Sequence, residues 1–330
     1  MRRRSFIKKA ALPPTVLAAG RAMKLFGEGG LCVGAEARKT GQGGTIPTRP
    51  YGRTDVRLSV VGFGGYMVSG MDPSHVARLV DYAVERGVNY FDVAPTYGNA
   101  EVLLGPAIRP HRERIFLACK TTQRDRSGAE KELHNSLDHL KTEHLDLYQL
   151  HAINDLTKDV DAVFSKGGAM EVFLEARKAG KVRYLGFSSH TVEAAMSAMD
   201  RYAFDSILFP VNFACWFKGG FGPSVVAKAE SKGIACLALK ALARQKWPEG
   251  DPGKKDYPRC WYQPLTDRRE AELGLRFALS RRVTAAVSPA DEKAFRLMLD
   301  LATDLRPLTV EEERTLKTLA AALAPIFQIA

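Results

Sequence analysis

Four side chains able to hold or move a proton stand at or just beyond the ends of short apolar runs. They are Asp92 in YFDVA, Tyr97 five residues on, Lys120 closing RIFLACK, and His151 closing LDLYQLH. A phenol has an ordinary pKa of about 10 and is a poor proton donor at neutral pH. A cation held against it favours the phenolate and lowers that value, and a carboxylate beside the cation keeps the cation charged. Those are the parts offered to Tyr97 by Lys120 and Asp92. His151 adds a group that donates to an oxygen or relays a proton. Taken singly, Lys120 and Asp92 read as a buried ion pair, His151 as a wall residue and Tyr97 as packing. At matched positions in one molecule they read as a site that delivers a proton to an oxygen gaining negative charge.

Such a site needs elements that bring the four together. The runs LSVVGFG, YFDVA, RIFLACK, LDLYQLH, VRYLGFSS, SILFPVN, IACLALK and TAAVS number eight. Between them lie segments with apolar residues at helical spacing, such as HVARLVDYAVERG, where Val76, Leu79, Val80, Ala83 and Val84 share a face and Gly87 can cap the end. Alternating strands and helices predict a parallel sheet with right-handed crossovers, and eight is the number that closes a single (β/α)8 TIM barrel, an α/β fold. An open doubly wound sheet is the runner-up, but GFGGYM at 62–67 lacks the glycine spacing of a dinucleotide-binding turn. In a barrel, residues at the C-terminal strand ends face one rim, so the four candidates converge there. YGRTD, at 51–55, reads as a hairpin plugging the barrel bottom. Residues 241–268 form a long connection carrying Trp247, Tyr257, Trp261 and Tyr262, which reads as an ordered cover over the rim or a flap that seals it.

The stretch GVNYFDVAPTYGNAEVLLG, with Asp92, Tyr97, Glu101 and Gly105, resembles the aldo-keto reductase signature, and Lys120 in FLACKT and His151 in LYQLHA match the rest of that family's Asp/Tyr/Lys/His tetrad. The resemblance spans roughly residues 46–325. It implies interconversion of a small aldehyde or ketone and its alcohol by hydride transfer, with Tyr97 as general acid/base and a nicotinamide nucleotide across the rim. It assigns cofactor contacts to Gly64, Ser188, Ser189, Asn212, Lys240, Ser288 and Lys293, and Trp216 and Trp261 are expected to wall the substrate. Glu101 reads as structural. Several positions depart from the family pattern. Ser188-Ser189 stands where a Ser-Asn pair usually holds the carboxamide, the Gln expected in ILFPVN is absent, and Leu239 replaces a ring-stacking aromatic. The turn Ser288–Lys293 is expected to meet the adenosine 2′-phosphate. Ser288, Lys293 and the following helix N-terminus favour NADP(H) over NAD(H), although Asp291 and Glu292 oppose an anion. Lys240 is expected to neutralise the pyrophosphate or to make a surface ion pair.

Composition narrows the remaining classes. With 48 Lys and Arg against 37 Asp and Glu the chain carries +11, but seven basic residues and one acidic residue fall within 1–35, leaving +5 for the rest. No helix-turn-helix, zinc or RNP-type pattern accompanies that charge, so nucleic acid is not an expected partner. The five cysteines are widely spaced, without CxxC or Cys/His clusters, and no metal is expected. Residues 1–37 begin MRRRSFIKKAALPPTVLAAG, and Arg3-Arg4-Ser5-Phe6-Ile7-Lys8 resembles the twin-arginine motif. This implies a signal peptide read by the twin-arginine export machinery and a periplasmic destination. The apolar stretch from Ala10 to Gly20 is too weak for a stable membrane anchor. Residues 38–45 read as a linker and 46–330 as the barrel. Export away from the cytoplasmic nicotinamide pool keeps a second reading open: a catalytically weak nucleotide-binding barrel with a sensing or scaffolding role. A metal- or carboxylate-dependent hydrolase would need more acidic or histidine ligands at strand ends than Asp92 and His151.

Overall fold

The computed structural model describes residues 44–329; the signal-peptide expectation for 1–37 lies outside them. Eight parallel strands close into a barrel: β1 (Val61–Gly64), β2 (Tyr90–Asp92), β3 (Phe116–Thr121), β4 (Leu145–Leu150), β5 (Val182–Ser188), β6 (Ser206–Pro210), β7 (Ala235–Leu239) and β8 (Ala285–Val287). Each is followed by a helix on the outside: α1 (Pro73–Glu85), α2 (Ala100–Ile108), α3 (Arg126–Leu140), α4 (Ala169–Lys178), α5 (Val192–Arg201), α6 (Pro223–Lys232), α7 (Arg268–Leu279) and α8 (Glu292–Ala302). A last helix, α9 (Val310–Ala322), follows the barrel. The expected (β/α)8 architecture is therefore the observed one.

Local chemistry starts and stops these elements. At α1, Pro73 fits the first helical position, and the Asp72 carboxylate accepts from the backbone N–H groups of Ser74 (2.9 Å) and His75 (3.1 Å), satisfying donors with no intrahelical partner. Val76, Leu79, Val80, Ala83 and Val84 form its buried face, and Gly87 leaves the helix at a φ of 87°, a left-handed conformation that suits glycine. Outside the barrel, apolar side chains from strands and helices make one continuous core. Inside it, a second core joins Tyr90, Phe116, Ala118, Leu147, Leu208, Leu237, Ala285 and Val287. Successive inward residues along a strand are two apart. Continuing that spacing from Tyr90, Ala118 and Leu147 reaches Asp92, Lys120 and Gln149, so the interior changes from apolar to ionised within one step.

The bottom of the barrel is closed as expected. Residues Thr48–Pro50 and Arg57–Ser59 pair antiparallel, and Tyr51 in their connection is fully buried against Phe116 and Tyr184, with ring centroids 5.1 and 5.3 Å away. Gly52 follows at a φ of 58°, packed against the backbone near Gly233, where a Cβ would lie 3.0 Å from the Gly233 carbonyl oxygen. Above the barrel, the long connection after β7 is ordered. Strands Ala243–Lys246 and Tyr262–Pro264 pair antiparallel, and Trp247 Nε1 donates to the Cys260 carbonyl at 2.8 Å. The final helix is tied to α7 by the Arg276 guanidinium, buried between Glu272 (2.9 Å) and Glu312 (2.6 Å). After α9, the backbone N–H of Lys246 donates to Ala324 O and that of Ile329 to Gly219 O, which lays the C-terminal segment over the β5–β7 side of the rim.

The Tyr51 ring fills space that solvent cannot, so its removal leaves a cavity. Tyr51→Ala is expected to destabilise the barrel by roughly 3–5 kcal/mol. Its hydroxyl has no hydrogen-bond partner, so Tyr51→Phe is expected to cost less than about 1 kcal/mol. Urea unfolding followed by circular dichroism checks both; equal losses would show that the hydroxyl and not the ring carries the plug.

Candidate active site

The geometry is built outward from Asp92. This carboxylate, 1% exposed at the end of β2, sits inside the barrel mouth. One of its oxygens accepts from Lys120 Nζ. The other accepts from Tyr90 Oη at 3.1 Å and from Gln149 Nε2 at 3.0 Å. Lys120, also fully buried, donates a second time to the Val93 carbonyl at 3.0 Å. Isolated, either charge would be very costly at this depth; paired with each other, and with further hydrogen bonds from Tyr90 and Gln149 to Asp92 and from Lys120 to Val93 O, they persist. Removing one member of such a pair typically costs about 3–5 kcal/mol.

Lys120 Nζ lies 5.1 Å from the ring centroid of Tyr97, which comes from the loop after β2. The Tyr97 ring meets Tyr66 at 5.3 Å on one side and His151 edge-on at 5.9 Å on another. All four predicted catalytic residues are thus at one end of the barrel. Their electrostatics differ from expectation in one respect. Burial raises the Tyr97 pKa by more than the Lys120 charge lowers it, and Asp92 adds a smaller upward push. Lys120 restrains that rise but does not reverse it, because Asp92 neutralises much of its field. Lys120 itself is held above its ordinary value: Asp92 and Tyr97 outweigh the burial that opposes its charge. His151 is moved down to about 3, first by burial and then by the charges of Lys120, Arg124 and Lys240. It is a neutral imidazole at working pH, and its Nδ1 is buried without a partner.

Beside Tyr97 opens a cavity of about 240 Å³, walled by Gly64, Tyr66, Lys240, Trp261 and Ser288 among others. The remaining expected residues divide by location. Gly64 and Ser288 are on the wall, tied together by a 3.0 Å bond from the Gly64 N–H to Ser288 Oγ. Ser188, Ser189 and Asn212 are buried and do not line the cavity. The Ser188 hydroxyl oxygen accepts from Ala152 N at 2.7 Å, Ser189 bonds with Thr191, and Asn212 Oδ1 caps the turn at Cys215 N while its Nδ2 has no partner. Lys293 is exposed and away from the cavity, and the adjacent helix N-terminus is capped by Asp291, which accepts from Ala294 N at 2.9 Å. Trp261 stands at the rim as expected. Trp216 does not line the cavity: it packs edge-on against Phe277 of α7 at 6.0 Å, with the Arg281 guanidinium 5.5 Å from its ring centroid, outside the barrel wall. Glu101 is structural, accepting from Cys119 Sγ at 3.2 Å and pairing with His139.

Three participants escaped sequence reasoning. Tyr90 and Gln149 lie two residues before Asp92 and His151, and an inward-facing polar residue in a strand was the available signal. His190 follows Ser188-Ser189 and its Nε2 accepts from Lys240 Nζ at 3.1 Å; nothing local in the sequence marks that pairing.

Comparison with known proteins assigns the class. Residues 60–319 match the model of the aldo/keto reductase family, and the chain belongs to that family of NAD(P)-dependent oxidoreductases. Among curated relatives, the uncharacterized oxidoreductase YqkF of Bacillus subtilis is 28% identical over 304 residues, covering 82% of this chain and 95% of the relative. A 6-dehydroglucose reductase of Novosphingobium aromaticivorans is 27% identical over 197 residues, covering 52% and 62%. The holo form of aldo-keto reductase AKR11C1 from Bacillus halodurans shares the fold, with a TM-score of 0.66 at 24% identity, over 85% of this chain and 98% of that one.

The cavity fits the nicotinamide end of such a cofactor. Leu239 and Val287 give an apolar wall, and Tyr66, Trp261 and Tyr262 supply the aromatic surface that Leu239 lacks. The β1, β7 and β8 strand ends would hold the group there.

The low His151 value has a measurable sign. Unfolded His151 takes up a proton near pH 6.5, the folded chain only near 3, so protonation of the unfolded chain removes stability as pH falls below about 6.5. The His151 ring resonances are expected to stay constant from pH 7.5 to 5 in an NMR titration; a midpoint near 6.5 would show an imidazole open to solvent.

Proposed function

We propose that this chain reduces a small aldehyde or ketone to its alcohol with Tyr97 as the acid. The observation that carries the reading is a cavity lined by the protonated Tyr97 phenol, with the carboxylate-anchored Lys120 ammonium 5.1 Å from that ring's centroid and the neutral His151 imidazole edge-on to it at 5.9 Å. When bound, the nicotinamide supplies the hydride. Tyr97 gives its Oη proton to the carbonyl oxygen, so no free alkoxide accumulates. The phenolate left behind faces Lys120, whose charge Asp92 maintains in both states. Neutral His151 donates a hydrogen bond to the same oxygen, aiding charge development. Tyr97 is protonated at neutral pH, as this direction requires, and Lys120 limits how far burial weakens it as an acid. The intact ion pair and open cavity favour this reading over a catalytically weak barrel with a sensing role.

For the nucleotide we propose NADP(H), resting on Lys293, which is exposed beside the turn expected to meet the 2′-phosphate; Asp291 and Glu292 are turned to other partners, Ala294 N for the first and His75 and Arg296 for the second. Tyr97→Phe is expected to lower kcat by about 10²–10⁴-fold while fluorescence titration shows unchanged NADPH affinity, tighter than that for NADH. Wild-type turnover by the variant would remove Tyr97 from the acid role. Tighter NADH binding would reverse the nucleotide reading.

We further propose, on the Arg3-Arg4-Ser5-Phe6-Ile7-Lys8 run, that the chain is exported to the periplasm by the twin-arginine machinery. Replacing both Arg3 and Arg4 by Lys is expected to retain the protein in the cytoplasmic fraction on cell fractionation. Undiminished export of that variant would overturn the assignment.

A further inference from the structure

Of the buried or half-buried cations around the barrel mouth, two have a carboxylate, and two on the cavity wall, Arg259 and Lys240, have none among the described residues; Arg259 donates to the Ser69 carbonyl at 2.6 Å. Lys120 has Asp92, and Arg124 has Asp159 at 2.8 Å. Lys240 follows β7 at a φ of 59°, the left-handed region that costs a side-chain-bearing residue about 1 kcal/mol or more. A tight turn holds it there, with Ala243 N donating to the Lys240 carbonyl at 2.9 Å.

The ammonium is held by contacts that leave its charge uncompensated. Nζ donates to His190 Nε2 at 3.1 Å and lies 5.7 Å from the ring centroid of Trp261 and 5.8 Å from that of Phe327. Phe327, from the C-terminal segment, stacks on His190 at 5.3 Å with the planes 18° apart, which holds the ring in place beside Lys240. Burial and neighbouring charge hold His190 at about 3, so it stays neutral and cannot balance Lys240. Burial lowers Lys240 to about 8, which leaves it mainly charged at neutral pH.

Direction separates two uses of this charge. The Ser288–Lys293 turn expected to meet cofactor phosphate follows β8. Lys240 lines the same cavity as Ser288, but its ammonium is held toward His190, just past β5 and two strands along the barrel from β7, and its charge is one of those that depress His151 at the end of β4. It shares the cavity wall with Tyr97 and Trp261, and His151 Nδ1 is buried nearby without a partner.

From this placement we infer that Lys240, steadied by His190, binds a carboxylate carried by the carbonyl substrate, so that the preferred substrates are oxo acids. The inference rests on the reductase reading and names the substrate class for the same site. A charge-assisted hydrogen bond in a partly desolvated site is strong enough to discriminate about 10–100-fold.

The test compares 5-oxopentanoate with its methyl ester, which differ in charge and little in length. Wild type is expected to prefer the acid in kcat/KM by about 10–100-fold, Lys240→Met to lose most of that ratio, and Lys240→Arg to keep part of it. No preference in wild type, or a ratio unchanged in Lys240→Met, overturns the inference. NADPH titration separates the other source of anion: if Lys240→Met weakens NADPH binding and leaves the acid-to-ester ratio intact, the ammonium serves cofactor phosphate and the inference fails. A binding arm without nucleotide keeps the substrate-class reading apart from the reductase reading. 5-Hydroxypentanoate is expected to raise the Tm of wild type more than that of Lys240→Met, and equal shifts count against the carboxylate site even if no carbonyl is turned over.

Discussion

A carboxylate buried inside a barrel must be surrounded by donors or give up its charge, and the mouth of this barrel is organised by that requirement at Asp92. Three side chains converge on its two oxygens, from β2, β3 and β4: Tyr90, Lys120 and Gln149. Each reaches it because inward positions recur every second residue, so the same strands that build the apolar interior below end in the polar layer above. Closing the bottom with Tyr51 completes the low-dielectric enclosure. The ion pair matters chemically because the enclosure makes it expensive to disturb: Lys120 cannot readily lose its proton or turn away while Asp92 is held from the other side.

The consequence for Tyr97 is a balance between opposing effects. Burial favours the phenol and Lys120 favours the phenolate, with burial the larger effect. Such a group keeps its proton in the resting site, and in the proposed chemistry it would release it as the carbonyl oxygen becomes strongly basic, while Lys120 stabilises what remains. His151 is governed by the same field. Surrounded by positive charges and excluded from water, it stays neutral, which favours the hydrogen-bond donor of the proposed chemistry over a proton relay.

The barrel, its plug and the four catalytic candidates were legible because each leaves a local mark. Strand runs alternate with helical periodicity, YGRTD has turn chemistry, and the candidates sit at run ends. Tyr90 and Gln149 were half-visible, as polar residues within apolar runs. What stayed hidden was non-local. The pairing of Lys240 with His190 joins residues 50 apart, and the stacking of Phe327 on that histidine depends on where the C-terminal segment comes to rest. Trp216 shows the converse error: an aromatic in a rim loop reads as a pocket wall, yet the loop descends outside the barrel and buries the ring against Phe277. The direction of the Tyr97 shift was missed because it depends on the depth of burial and on the partner of Lys120, neither of which spacing reveals.

The coupling of Lys120 to Tyr97 is tested most directly by single-turnover carbonyl reduction, followed from pH 6 to 11 in wild type and Lys120→Met at saturating NADPH. The rate should fall on the alkaline side as Tyr97 loses its proton, and that limb should move to higher pH when the ammonium is removed. An alkaline limb at the same pH in both proteins would contradict the coupling on which the proposed chemistry depends.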